Sequence, residues 1–176
     1  MKASADVTTR QRGRWMFGIL LLTVGLDQAT KQLAVRTLKG EPPTSHLGGV
    51  LRIEYAENPG AFLGLGGRLP AEVGFWVFVL GMAAILTGLA VWLLRSRRQP
   101  AGVVLAMSMV FAGGLSNWID RVINHGRVVD FLNLGIGRLR TGIFNVADVA
   151  IMAGVFLALI ASTVHERRMR RDAPAA

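Results

Sequence analysis

From residue 73 to residue 94 the chain carries no charged side chain. At a rise of about 1.5 Å per residue, a helix of that length crosses a hydrocarbon core roughly 30 Å thick. Backbone in lipid must satisfy its own hydrogen bonds, so helices or closed barrels are the only ways to span. Residues 101–119 and 147–164 are similarly apolar. A further run, 15–26, continues in helical register through residues 28–35, with Asp27 and Lys31 inside it. A basic start before a short apolar core also describes a secretory signal peptide, but no small-x-small cleavage site follows. The first run is therefore expected to be an uncleaved span. The fold expected is an all-α membrane protein, a four-transmembrane-helix bundle.

The bundle carries one extramembrane element. Residues 40–70 are broken by Pro42, Pro43, Gly48, Gly49, Pro59, Gly60, Gly64, Gly66 and Gly67, which forbid a long helix. Within them Leu51, Ile53 and Tyr55 alternate with Arg52 and Glu54, the period of a half-buried strand. Asn58-Pro59-Gly60 then reads as a turn. Residues 36–72 are thus expected to form a small extracytoplasmic β-containing region within a single domain, 1–176.

Charge sets the orientation. The net charge is +9, which raises nucleic acid as a partner, but its distribution argues against one. Lys2, Arg10, Arg12 and Arg14 precede the first apolar run; Arg95, Arg97 and Arg98 follow the second; Arg167, Arg168, Arg170 and Arg171 follow the last. Short basic flanks of this kind mark the cytoplasmic side of membrane spans, and no nucleic-acid-binding module is evident. The basic ends, 1–14 and 165–176, and the 95–100 loop are expected in the cytoplasm. The two other connections lie outside. Asp27, Asn58, Asn117, Asp120, Arg121, Asp130, Asn145 and Asp148 then converge on the outer membrane surface. With no cysteine and with His46, His125 and His165 scattered, neither a metal site nor a cofactor is expected.

Charge near a span is expensive and is retained when it is used or paired. Asn117, Asp120 and Arg121 share a helix face, and the plain reading of Asp120 is an ion pair with Arg121 or Arg127. Arg121 and Asn117 are equally suited to holding a substrate backbone or positioning a carboxylate. Asp27 and Lys31 have the i, i+4 spacing of a helix salt bridge. Asn145 and Asp148 fit a helix cap and a first-turn acid. Asp130 is different, an acid in the apolar run Val128-Val129-Asp130-Phe131 with no adjacent base. Two carboxylates meeting in a desolvated site share a proton and serve as base and acid together. Such a dyad can deprotonate water for attack on an amide and then protonate the leaving nitrogen. Spacing alone leaves a structural pair open for Asp130 and Asp148.

Five motifs in order resemble the bacterial lipoprotein signal peptidases, or signal peptidase II. They are Asp27-Gln28-Ala29-Thr30-Lys31, Asn58-Pro59-Gly60-Ala61-Phe62, Gly113 through Arg121 (GGLSNWIDR), Val128-Val129-Asp130-Phe131 and Phe144-Asn145-Val146-Ala147-Asp148. The resemblance implies an aspartic endopeptidase of the bacterial cytoplasmic membrane, without a cofactor. It would cut the signal peptide from a diacylglyceryl-modified prolipoprotein just before the lipidated cysteine. It assigns Asp130 and Asp148 as the catalytic pair, with Asp27, Asn58, Asn117, Arg121 and Asn145 as supporting polar residues. Lipid-modified prolipoproteins and membrane lipid are the expected partners, and the expected state is a monomer. The chain departs from the family's habit at Ser116, often glycine, and at Gly60-Ala61-Phe62, which commonly has a second alanine. The competing classes are a small proton-coupled transporter, which would place acids at the bilayer midplane, and a scaffold whose polar cluster only packs helices.

Overall fold

The computed structural model describes residues 9–60, 70–95 and 99–172. In chain order these form α1 (Thr9–Thr37), β1 (Thr44–His46), β2 (Leu51–Asn58), α2 (Ala71–Arg95), α3 (Ala101–Ile123), β3 (Val128–Ile136), β4 (Leu139–Arg140) and α4 (Val146–Asp172). Three helical stretches, Glu72–Arg95, Ala101–Ile123 and Val146–Arg167, are long and apolar enough to cross a membrane. Helix α1 is long enough but is not among them, since Asp27, Gln28, Lys31 and Gln32 dilute its second half. Ala61 and Phe62 of the second motif, Lys2, and the basic pair Arg97 and Arg98 lie outside the described residues.

Helix α3 is the centre of the molecule. It packs against each of the other three helices, and 44% of its most apolar window is buried within the chain, against 17% for α2 and α4. In lipid, helices gain little from burying leucine, so association depends on close backbone approach at small residues. The α3–α4 seam is built that way. A Cβ at Gly113 would sit 2.5 Å from the Ala147 carbonyl oxygen, and one at Gly154 would sit 2.6 Å from that of Ala106. On the opposite side Trp118 donates its indole N–H to the Val79 carbonyl of α2 (2.9 Å).

The extramembrane part is a four-stranded antiparallel sheet in the order β1-β2-β3-β4. Strand β2 runs past the alternating stretch to Asn58, with a bulge between Ile53 and Ala56. The sheet is not confined to residues 36–72, because β3 and β4 come from the connection between α3 and α4. Sequence periodicity misses β3 for a physical reason. Val128, Val129, Asp130 and Phe131 are all buried, so both faces of the strand are covered and no alternation arises. Helix α3 likewise continues to Ile123, beyond the uncharged run that ends at 119, and Asn117, Asp120 and Arg121 are buried on it.

Gly154 lies on the α3–α4 seam, away from the polar cluster. Gly154→Val is expected to destabilise the detergent-solubilised protein by about 1–3 kcal/mol through overpacking. The readout is the thermal midpoint.

Candidate active site

The polar cluster begins with one buried cation. Lys31, on α1, is 2% exposed. Its ammonium has three protons and meets three oxygens: Asp27 Oδ2 at 2.7 Å, Asp120 Oδ2 at 3.0 Å and Asn117 Oδ1 at 2.8 Å. Buried charges persist when paired and hydrogen-bonded, and here both conditions hold. The expected Asp27–Lys31 pair is present. The expected partnership of Asp120 with Arg121 or Arg127 is not. Asp120 instead pairs with Lys31 and accepts from Gln28 Nε2 (2.7 Å) and the Val129 N–H (3.0 Å). A helix face gave Arg121 as its neighbour, but Arg121 turns away and holds the Gly60 and Gly126 carbonyls (2.7 and 2.6 Å). Arg127 pairs with Glu57 (3.0 Å). With Lys39 and Tyr55 also donating to it, the Glu57 carboxyl is held down at about 2.

From Lys31 the order passes through two asparagines. An ammonium only donates, so Asn117 must turn its oxygen to Lys31 and its amide N–H outward. That N–H meets Asp148 Oδ1 at 2.8 Å. The same Asn117 oxygen accepts from Asn145 Nδ2 (3.1 Å), whose amide also reaches Asp130 Oδ1 (2.7 Å). Asn145 Oδ1 accepts the Asp148 N–H (2.9 Å), and Asp148 Oδ2 accepts the Asn145 N–H (3.2 Å). This is a reciprocal capping box at the start of α4, satisfying amides that a helix terminus leaves unpaired. Asp27 Oδ1 takes another of them, the Ala147 N–H, at 2.8 Å. Ser116 joins the base of the cluster, donating to Asp27 Oδ2 (2.7 Å) and accepting from Gln28 (3.1 Å).

The sheet brings in the last pieces. Ala56 stands opposite Asp130 and Asn58 opposite Val128, so Asn58 and Asp130 share a face two residues apart. Asn58 Nδ2 donates to Asp130 Oδ2 (3.1 Å) and its Oδ1 accepts the Gly60 N–H (3.0 Å), closing the Asx turn that Asn58-Pro59-Gly60 predicts. Phe144 pairs with Leu132, which lays Asn145 beside Asp130.

The four acids of the cluster thus fall into two kinds. Asp27 and Asp120 share the Lys31 charge. Asp130 and Asp148 have no ion-pair partner among the described residues; every bond they accept comes from a neutral amide. Burial, then the nearby Asp148 charge, pushes the Asp130 carboxyl up to about 6, against the pull of the Asn58 and Asn145 amides. All seven residues singled out from sequence lie in this assembly. Asp130, Asp148, Asn145, Asn117 and Asn58 touch an unpaired acid or are one, Asp27 braces α4, and Arg121 braces the Asn58 turn. In the sequence Lys31 and Asp120 suggest only local ion pairs, and Gln28 and Ser116 stand out only as motif positions. Only tertiary contact shows that they join α1 to α3.

The profile of the signal peptidase (SPase) II family matches residues 19–164. The lipoprotein signal peptidase of Nitratidesulfovibrio vulgaris (strain DP4) is 35% identical over 154 residues, covering 84% of this chain and 88% of that protein. That of Chlorobium phaeobacteroides (strain DSM 266 / SMG 266 / 2430) is 32% identical over 154 residues, covering 83% and 88%. Two solved structures of bacterial membrane enzymes share the fold. One is 27% identical with a TM-score of 0.73, covering 92% of this chain and 94% of that one. The other is 31% identical with a TM-score of 0.70, covering 83% and 90%. The chain belongs to the signal peptidase II family, and by that membership it is a membrane protease.

Two outcomes follow from the cluster. Lys31→Met leaves Asp27 and Asp120 buried without their cation and is expected to cost about 3–5 kcal/mol, read as a fall in thermal midpoint. For Asp130, a folded value above the ordinary 3.8 means that folding takes up a proton there. Its contribution is present below pH 3.8 and is lost as pH rises through about 6, a change of about 1–3 kcal/mol. Thermal midpoints across that window should decline less in Asp130→Asn than in the wild type.

Proposed function

We propose that the chain is an intramembrane aspartic endopeptidase that removes signal peptides from diacylglyceryl-modified prolipoproteins, cutting just before the lipidated cysteine. The observation that carries this reading is the pair of acids without a cation, Asp130 and Asp148, joined through Asn145. Neutral donors orient a carboxylate without neutralising it, so the pair retains one negative charge and one proton to exchange. With one carboxylate ionised and its partner protonated, the ionised group takes a proton from a water lodged between them. The water oxygen attacks the scissile carbonyl carbon, and the protonated partner hydrogen-bonds the carbonyl oxygen as it gains negative charge. Collapse of the tetrahedral intermediate breaks the C–N bond, and the departing nitrogen takes a proton from the dyad. Asn117, Asn145 and Asn58 hold the acids; Asp27 and Arg121 hold the elements that carry them.

The same reading makes α1 the fourth membrane span and the whole chain one monomeric protease domain. Phe17, Leu21, Leu22, Leu26 and Leu33 of α1 are exposed, as lipid-facing side chains are, while Asp27 and Lys31 are turned to α3. The basic flanks put both termini in the cytoplasm and the dyad near the outer face of the cytoplasmic membrane. A lipidated cysteine keeps its acyl chains in the bilayer, which presents the scissile bond at that depth.

The test is a gel-shift cleavage assay with purified protein in detergent and a diacylglyceryl-modified prolipoprotein. The wild type is expected to cleave it, with or without a chelator. Asp130→Asn and Asp148→Asn should each lose at least about 10³-fold in rate, a loss of the order that removing general acid–base catalysis brings. Turnover by either variant at the wild-type rate refutes the dyad.

A further inference from the structure

Outside the helices, the most exposed large apolar side chains among the described residues are Leu139 (83%), Ile136 (79%) and Leu47 (76%). No described side chain of this kind in the membrane-spanning helices is more exposed. Leu47 opens the turn between β1 and β2, and Ile136 and Leu139 are the paired strand ends that flank the turn between β3 and β4. The turns lie side by side at the end of the sheet remote from Asp130. The Gly135 N–H donates to the Val50 carbonyl (2.9 Å), and Arg140 Nη1 donates to the Gly49 carbonyl (2.9 Å). Val50 and Leu134 add further exposed apolar surface.

Two more observations single out this tip. Leu47 has φ 53, in the left-handed region that bulky residues avoid. The backbone holds this leucine in an unfavourable conformation while leaving its side chain outside the core, and strain of that kind is concentrated at sites of function. The charge is also one-sided. Residues 42–53 and 131–147 contain Arg52, Arg138 and Arg140 and no acid. Arg52 and Arg138 are exposed, and Arg52 and Arg140 line a cavity of about 170 Å³ between the turns, beside Gly48, Gly49 and Gly137.

An apolar rim with basic and no acidic neighbours complements an anionic lipid surface. Such a surface lies within reach, because four residues separate β3 from α3 and β4 is followed within six by α4. At about 3.3 Å per residue, β3 carries the tip roughly 26 Å from its start. We propose that the sheet's tip is a membrane-surface anchor. Leu47, Ile136 and Leu139 enter the headgroup–acyl boundary, and Arg52 and Arg138 meet lipid phosphates. The anchor steadies the two strands that carry Asn58 and Asp130. It rests on the membrane-spanning helices and not on the proposed chemistry.

The chain has no cysteine, so single-cysteine labelling reads the tip directly. Leu139→Cys in the full chain carries an environment-sensitive fluorophore, in vesicles of phosphatidylcholine with a minority of phosphatidylglycerol. Ile85→Cys on the exposed face of α2 is the lipid reference, and Glu41→Cys the extramembrane one. The label at 139 is expected to be quenched by shallow spin-labelled lipid several-fold more than the label at 41, and to be shielded from iodide. Arg52→Glu with Arg138→Glu should reduce the lipid quenching. A label at 139 as open to iodide as that at 41 overturns the anchor. A label shielded from both quenchers also overturns it, placing a protein surface there, and dependence on protein-to-lipid ratio would identify a second copy. None of these readings depends on turnover.

Discussion

The ammonium of Lys31 sits where three side-chain oxygens meet, and the orientation of the unpaired acids traces back to it. A primary ammonium offers protons and no lone pair, so whatever faces it must present oxygen. That demand sets the amide of Asn117, which then has only N–H to offer Asp148. Asn145 is constrained in the same sense by the α4 amide it caps and by Asn117, and its N–H falls on Asp130. A chain of fixed amide dipoles thus runs from one buried charge to two acids, with each link dictated by the one before. Satisfied buried networks of this kind are rigid, and partly satisfied ones are costly.

Placing charge beside a membrane span is expensive, and the cluster divides that cost in two ways. Asp27 and Asp120 neutralise Lys31 and fasten α1 to α3. They also serve other elements, Asp27 through the Ala147 N–H and Asp120 through the Val129 N–H, so one ion triad fixes the start of α4 and the second residue of β3. Asp130 and Asp148 receive only neutral donors. An acid neutralised by a cation is a poor base, whereas an acid held by amides keeps its affinity for a proton. The division separates the acids that share a buried cation from those held by neutral donors alone. It also disfavours the transporter reading, since Asp120, Asp130 and Asp148 gather at the end of α3, on strand β3 and at the start of α4, and Asp27, inside α1, is paired with Lys31.

The helices meet by close approach rather than by hydrophobic burial. Gly113 and Gly154 admit the backbone of the facing helix at distances no side chain would permit. Gly113 lies against the Ala147 carbonyl, inside the capping box of α4, so the seam and the acid cluster are one construction. The sheet then closes over the cluster from outside, and its two central strands deliver Asn58 and Asp130 to the same face.

Much of this is legible in the residues alone. The uncharged run at 73–94 requires a membrane span whatever surrounds it, because lipid leaves the backbone no other partner. Asn58-Pro59-Gly60 and Asn145 through Asp148 specify a turn and a helix cap through contacts a few residues apart, and local chemistry decides those. The five motifs in order mark the family. What the chain alone left open depends on distant partners. Asp120 looks like the neighbour of Arg121 until the fold presents Lys31 from 89 positions earlier. Residues 128–131 look like an apolar run with one acid in it, without the alternation of a strand, until the fold buries all four. Asp130 and Asp148 become distinct from Asp27 and Asp120 only when the fold allots the buried Lys31 to one pair. Local hydrogen bonds and hydropathy belong to the sequence, whereas the sharing of one charge among four acids belongs to the tertiary structure, because it is decided by which side chains lie within about 3 Å of each other.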